Sequence, residues 1–227
     1  MAAVLGAGVV VTAVGLARTA PAEAARAVTV MPLGASITHG YGSSDGDGYR
    51  ARLRERLTRE AKISIDFVGS QRSGRLRDDD HEGHPGWRID QIAARAGGWL
   101  ETYRPEVVVV HLGTNDMIQN HDVATAPERL AALCDRILAV RPGIRIYVSS
   151  LVASSDPVVD ARIDAFNARL PELLAGRRGV VFVDQHAAMD RRELTDNVHP
   201  TDAGYRAIAD AWYAAMTDPS RTPLRAA

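Results

Sequence analysis

The chain of 227 residues is poor in several residue types that mark functional classes. Its single cysteine, Cys134, excludes an internal disulfide and any cysteine-based zinc cluster. It falls in a helical pattern, where it reads as a small buried apolar residue. Lys62 is the only lysine, so the 27 basic side chains are almost all arginine, and 28 Asp and Glu oppose them to leave a net charge of −1. We read the arginine excess as coding bias. The near-cancelled charge argues against a broad nucleic-acid or anionic-membrane surface. Aromatics make up 5% of the chain, which gives no extended stacking platform for a polymer.

What is present begins with an uncharged stretch over residues 2–17, followed by Arg18 and the small-x-small sequence Ala22-Glu23-Ala24. We read residues 1–24 as a secretory signal segment that places the protein outside the cell, although no basic residue precedes the apolar run. The alternative, an uncleaved anchor, is short for a membrane span and carries three glycines. No stable membrane association is expected once the leader is removed. Residues 25–227 form one domain, long enough to bury a substantial core.

Apolar runs then alternate with amphipathic stretches. Strands are expected at 28–33, 63–69, 107–113, 144–151 and 180–184, and helices near 49–61, 89–103, 126–140, 160–174 and 202–216. The continuous run Val107-Val108-Val109-Val110 suits a central strand buried on both faces. This alternation predicts an α/β protein, a three-layer α/β/α sandwich around a parallel sheet of about five strands. The segment 70–85 reads as an irregular loop. Its cluster Asp78-Asp79-Asp80-His81-Glu82 is either a metal site or a solvated loop with locally paired charges, and no repeated ligand spacing favours the metal. Ser43-Ser44-Asp45-Gly46-Asp47-Gly48 has the composition of a calcium loop but the wrong length, and reads as a turn.

In an open parallel sheet, chemistry collects at the carboxyl ends of the strands. Gly34-Ala35-Ser36 follows the first strand, and Gly113-Thr114-Asn115-Asp116 follows the valine strand. His84-Pro85-Gly86-Trp87 precedes the second long helix, and Asp196-Asn197-Val198-His199-Pro200 precedes the last. A serine hydroxyl needs a base to act as a nucleophile at neutral pH, and His199 can be that base. Asp196 can hold the other ring nitrogen and steady the imidazolium. Backbone N–H groups of Ser36 and Gly86 and the Asn115 amide are candidate oxyanion donors. Each residue also has an ordinary structural use: Ser36, Asn115 and Asp116 as helix caps or turn formers, Gly86 in a tight turn. His39, Tyr41, His84 and Trp87 are near enough in sequence to contact a substrate, while packing serves equally well for Trp87. His81, His111, His121 and His186 read as loop or packing residues.

Together these four segments resemble the four blocks of the SGNH (GDSL-type) hydrolases, in a flavodoxin-like arrangement, across nearly all of the chain after the leader. His81-Glu82-Gly83-His84-Pro85-Gly86-Trp87-Arg88-Ile89-Asp90-Gln91-Ile92 is similar to the second block of carbohydrate esterase family 3, which includes acetylxylan esterases. The resemblance implies Ser36 as nucleophile, His199 as base, Asp196 as its orienter, and Ser36, Gly86 and Asn115 at the oxyanion. It implies no metal or organic cofactor. The substrate it implies is a small-molecule or polysaccharide acyl ester, with no nucleic acid partner. The first block usually reads Gly-Asp-Ser, whereas position 35 is alanine here, which removes a polar contact near the nucleophile. The expected activity is removal of an acetyl or other short acyl group from carbohydrate. A lipid esterase or thioesterase on the same fold is the alternative, and a non-catalytic carbohydrate-binding protein is the alternative of another class.

Overall fold

The computed structural model describes residues 2–3, 26–221 and 224. The signal segment expected at 1–24 lies outside the described residues apart from positions 2 and 3. In chain order the elements are β1 (Val28–Gly34), α1 (Ser36–His39), α2 (Arg50–Arg59), β2 (Ile65–Phe67), β3 (Gln71–Arg72), β4 (Asp80–Gly83), α3 (Ile89–Tyr103), β5 (Val107–His111) and α4 (Thr114–Ile118). After a 3₁₀ turn at Val123–Thr125 come α5 (Ala126–Val140), β6 (Arg145–Ser149), α6 (Pro157–Leu174), β7 (Val180–Val183), α7 (Gln185–Ala188) and α8 (Asp202–Thr217).

The strands order as β3-β4-β1-β5-β6-β7, and β2 also pairs with β1. All pairings are parallel except β3 with β4. The sheet thus has the expected α/β layering but seven strands, and the two extra ones lie inside the segment read as a loop. Of these, β4 shares an edge of β1 with β2, and β3 pairs only with β4: Val28–Val30 pairs with Ile65–Phe67, and Leu33–Gly34 pairs with Glu82–Gly83. The chain therefore builds outward from β1 on one side, then crosses to lay β5, β6 and β7 on the other. The crevice between the carboxyl ends of β1 and β5 is a topological switch point, where ligands bind in such sheets.

Alternation along β5 explains the two apolar layers. Val107 and Val109 point into the layer of Val28, Val30, Leu53, Leu57 and Trp212, under α2 and α8. Val108 and Val110 point into the layer of Met31, Leu33, Ile92, Leu130 and Ile163, under α3, α5 and α6. Each fully buried valine, leucine or isoleucine contributes about 1.5–3 kcal/mol relative to exposure, so the register of β5 is strongly specified. Cys134 is buried in the second layer, and burial pushes its thiol up to about 12, which leaves it inert at neutral pH.

Candidate active site

Ser36 opens α1, a single turn that begins one residue after β1 and ends at Gly40. The N-cap position falls to Ala35, which makes no side-chain cap, so the Ser36 hydroxyl is free for another partner. That partner is His199: its Nε2 lies 2.8 Å from Ser36 Oγ, across 163 positions of sequence. The other ring nitrogen, Nδ1, lies 2.7 Å from Asp196 Oδ2.

The segment carrying Asp196 and His199 is held by its own backbone. Leu194 and Pro200 form an isolated antiparallel bridge, and the Thr195 N–H donates to the His199 carbonyl at 2.8 Å. Ser155 N–H and Ser154 Oγ both donate to the Asn197 carbonyl, at 3.0 and 2.8 Å. Asp196 Oδ1 accepts the N–H groups of Val198 and His199, each at 2.8 Å, an Asx-type turn that leaves Oδ2 for the imidazole. Burial opposes the Asp196 charge, yet hydrogen bonds from the Val198 N–H and from His199 outweigh it and hold the carboxyl below its usual pKa. An ionised Asp196 only accepts, so Nδ1 carries the proton and Nε2 presents its lone pair to the Ser36 hydroxyl. That is the tautomer a general base needs.

Gly34 pairs with Gly83 on one side and with His111 on the other, which sets the 84–87 turn and the 113–118 segment on either side of the Ser36 loop. Gly86 has φ +80°, a left-handed value that favours glycine. A Cβ there would meet no protein atom within 4 Å, so within the fold it is the left-handed backbone of the turn that calls for glycine. Asn115 is 9% exposed, and its side-chain amide donates one hydrogen to the Trp87 carbonyl at 2.9 Å, leaving the second. Gln119 Nε2, at the C-cap of α4, donates to the Gly86 carbonyl at 3.0 Å, so α4 and its cap hold the turn at two points. Asp116, fully buried, accepts Ile89 N–H at the start of α3 and the Arg129 guanidinium, a structural use. Ala35 is buried in the same apolar layer as Ile89 and Met117.

The four proposed substrate contacts separate. Tyr41 is 49% exposed, and its ring meets the His199 ring edge-on at 5.8 Å. His39 is half-buried between Tyr41 and His81, and burial followed by the Arg50 charge lowers its pKa. His84 is buried, and its ring stacks on Trp87 and Trp99.

Three features escaped the sequence reading. Glu82 and His81 in the supposed solvated loop are fully buried. Trp99, unremarked in an amphipathic helix, reaches the His84 ring. Arg50 is fully buried and donates to the carbonyls of His39, Gly46, Ser73 and Asp79, binding the loops behind Ser36. Among the described residues no group of three or more His, Cys, Asp or Glu is placed to hold a metal.

Residues 33–207 match the model of the GDSL-like lipase/acylhydrolase family. A family 3 carbohydrate esterase from Clostridium thermocellum is 37% identical, with a TM-score of 0.75 over 85% of this chain and 96% of that one. A crystallised serine-to-alanine mutant of an acetyl esterase with an acetate ion is 29% identical, with a TM-score of 0.71 over 82% of this chain and 94% of that one. A multidomain esterase from Ruminococcus flavefaciens is 25% identical over 221 residues, 84% of this chain; the chain spans 28% of its length.

Proposed function

The chain belongs to the GDSL-like lipase/acylhydrolase family, and on that premise we propose that it is a secreted serine esterase removing acetyl or other short acyl groups from carbohydrate. The observation that carries the reading is the unbroken line Asp196–His199–Ser36, with contacts of 2.7 and 2.8 Å. In it Ser36 Oγ attacks the ester carbonyl while His199 Nε2 takes the hydroxyl proton. The carbonyl π electrons move onto oxygen, which the Ser36 and Gly86 N–H groups and the free hydrogen of the Asn115 amide receive. As the intermediate collapses, His199 returns the proton to the departing alkoxide oxygen of the sugar. Water, deprotonated by the same imidazole, then cleaves the acyl-serine to carboxylate and free enzyme.

Short acyl groups are favoured by the site's surroundings. Tyr41 is the exposed large hydrophobic that adjoins His199, a ring able to stack on one sugar and too little to sheath a long alkyl chain. The acetyl esterase and family 3 carbohydrate esterase among the similar structures support the same substrate class. The chain's apolar start supports export, and among the described residues no helix is long and apolar enough to cross a membrane. Hydrolysis of acetylated xylo-oligosaccharides, set beside p-nitrophenyl esters of rising chain length, tests the assignment. Acetyl esters should lead on kcat/KM, and a preference for long acyl chains would refute it.

A further inference from the structure

The turn bearing Gly86 is held from within by groups that the Ser36–His199 chemistry does not use. His84-Pro85-Gly86-Trp87 closes with the Trp87 N–H donating to the His84 carbonyl at 3.1 Å. Proline second and glycine third, with φ +80° at Gly86, are what a type II turn requires. The direction of the Gly86 N–H therefore follows from where His84 stands. His84 is fixed at both ends. Its N–H donates to the Gly34 carbonyl at 3.0 Å, two residues before the nucleophile. Its ring lies nearly parallel to Trp87 at 4.3 Å and to Trp99 at 4.8 Å, and its Nε2 is 2.8 Å from Glu82 Oε2.

Glu82 is fully buried and accepts Ser70 N–H at 2.6 Å and Ser70 Oγ–H at 3.0 Å. A carboxylate in that role only accepts, so His84 Nε2 carries the hydrogen between them. Burying a carboxylate against an imidazole is a costly way to fill a core that apolar residues would fill as well; what it supplies is direction. Gly83, between the two, leaves no room for a side chain: a Cβ would stand 2.6 Å from the His39 N and 3.0 Å from the Ala35 carbonyl oxygen. The pair is thereby locked against the nucleophile loop. On its far side the turn carries the Trp87 carbonyl, which holds the Asn115 amide at 2.9 Å.

We propose that Glu82 and His84, stacked on Trp87 and Trp99, are positioning residues that aim both the Gly86 N–H and the Asn115 amide at the developing oxyanion. The proposal rests on the oxyanion assignment made above. A pair that acts only on the transition state lowers kcat and leaves substrate affinity alone.

Two variants test it. His84→Phe keeps a flat ring for the stack and removes the bond to Glu82. Glu82→Gln keeps shape and an acceptor for Ser70, and serves should the first variant not fold. Each is measured on p-nitrophenyl acetate, with rates normalised to the fraction of Ser36 titrated by an organophosphonate. The expected result is kcat lower by about 10- to 100-fold with KM within about twofold. Affinity for methylboronic acid, which forms a tetrahedral adduct on serine, should fall by the same factor while affinity for acetate holds. Normalised kcat and boronate affinity equal to wild type, with only the melting temperature lowered, would overturn the proposal. Ser36→Ala, run in parallel, separates the two levels. If it retains hydrolysis, the site assignment itself fails. If it is inactive while the His84 and Glu82 variants match wild type, only the positioning role fails.

Discussion

Replacing Asn115 by alanine should cost far more in rate than in stability, and the structure gives both magnitudes. The Asn115 amide has two hydrogens, and one is engaged with the Trp87 carbonyl at 2.9 Å. Losing that bond at a buried position costs about 1 kcal/mol of folding free energy. For a chain of this size the melting temperature should fall by about 2–4 °C. The second hydrogen is the oxyanion donor in the proposed mechanism, and losing one such donor costs about 2.7–4 kcal/mol at the transition state, or about 10²–10³ in kcat. Asn115→Asp keeps the shape, offers no donor, and sets an acceptor against the Trp87 carbonyl, so its rate should fall at least as far. The assay is steady-state hydrolysis of p-nitrophenyl acetate by titrated enzyme, alongside calorimetric melting. A kcat within about threefold of wild type in the folded alanine variant would refute the reasoning, since no tetrahedral intermediate would then depend on the amide.

Two further perturbations read other parts of the site and core. Asp196 has a side chain 55% exposed, so water screens part of its charge, and Asp196→Asn should lower kcat by about 10²; rates unchanged would show that the carboxylate does not orient His199. His111 is buried with no partner on Nε2, and burial drives its pKa down to about 4, while burial and then Arg50 drive His81 to about 2. Both are bases with a folded pKa below the unfolded value of about 6.5, so the unfolded chain binds protons the native one refuses. Stability should therefore fall as pH drops from about 6.5 toward about 4, and His111→Gln should flatten that fall by about 1.4 kcal/mol per pH unit; parallel urea-unfolding profiles for variant and wild type would contradict it.

The long helices were legible because their apolar residues repeat at helical spacing. Ile89, Ile92, Ala96 and Leu100 line the buried face of α3, and both α3 and α5 begin and end where the pattern places them. The valine run marked β5 as buried on both faces, as found. The strands at Gln71–Arg72 and Asp80–Gly83 were not legible, because their polar residues carry no strand period. Glu82 and His81 find their hydrogen-bond partners within the same segment, Ser70 and His84 for one and Ser73 for the other, at spacings that follow no helix or strand period. The one-turn helices at Ser36, Thr114 and Gln185 are too short for any period to register. At the site, residue types and order were enough to nominate Ser36, Asp196 and His199. What spacing could not supply was the inner support, since the contact of Trp99 with His84 depends on how α3 lies over the turn.

The central claim is that Ser36 becomes acylated with His199 as its base. Treatment with an organophosphonate, followed by mass spectrometry of the digested protein, tests it most directly. A single adduct on the peptide bearing Ser36, formed in step with loss of hydrolysis and absent from Ser36→Ala and much slower in His199→Ala, is the predicted result. Hydrolysis surviving in Ser36→Ala, or an adduct on any other residue that accounts for the lost activity, would contradict it.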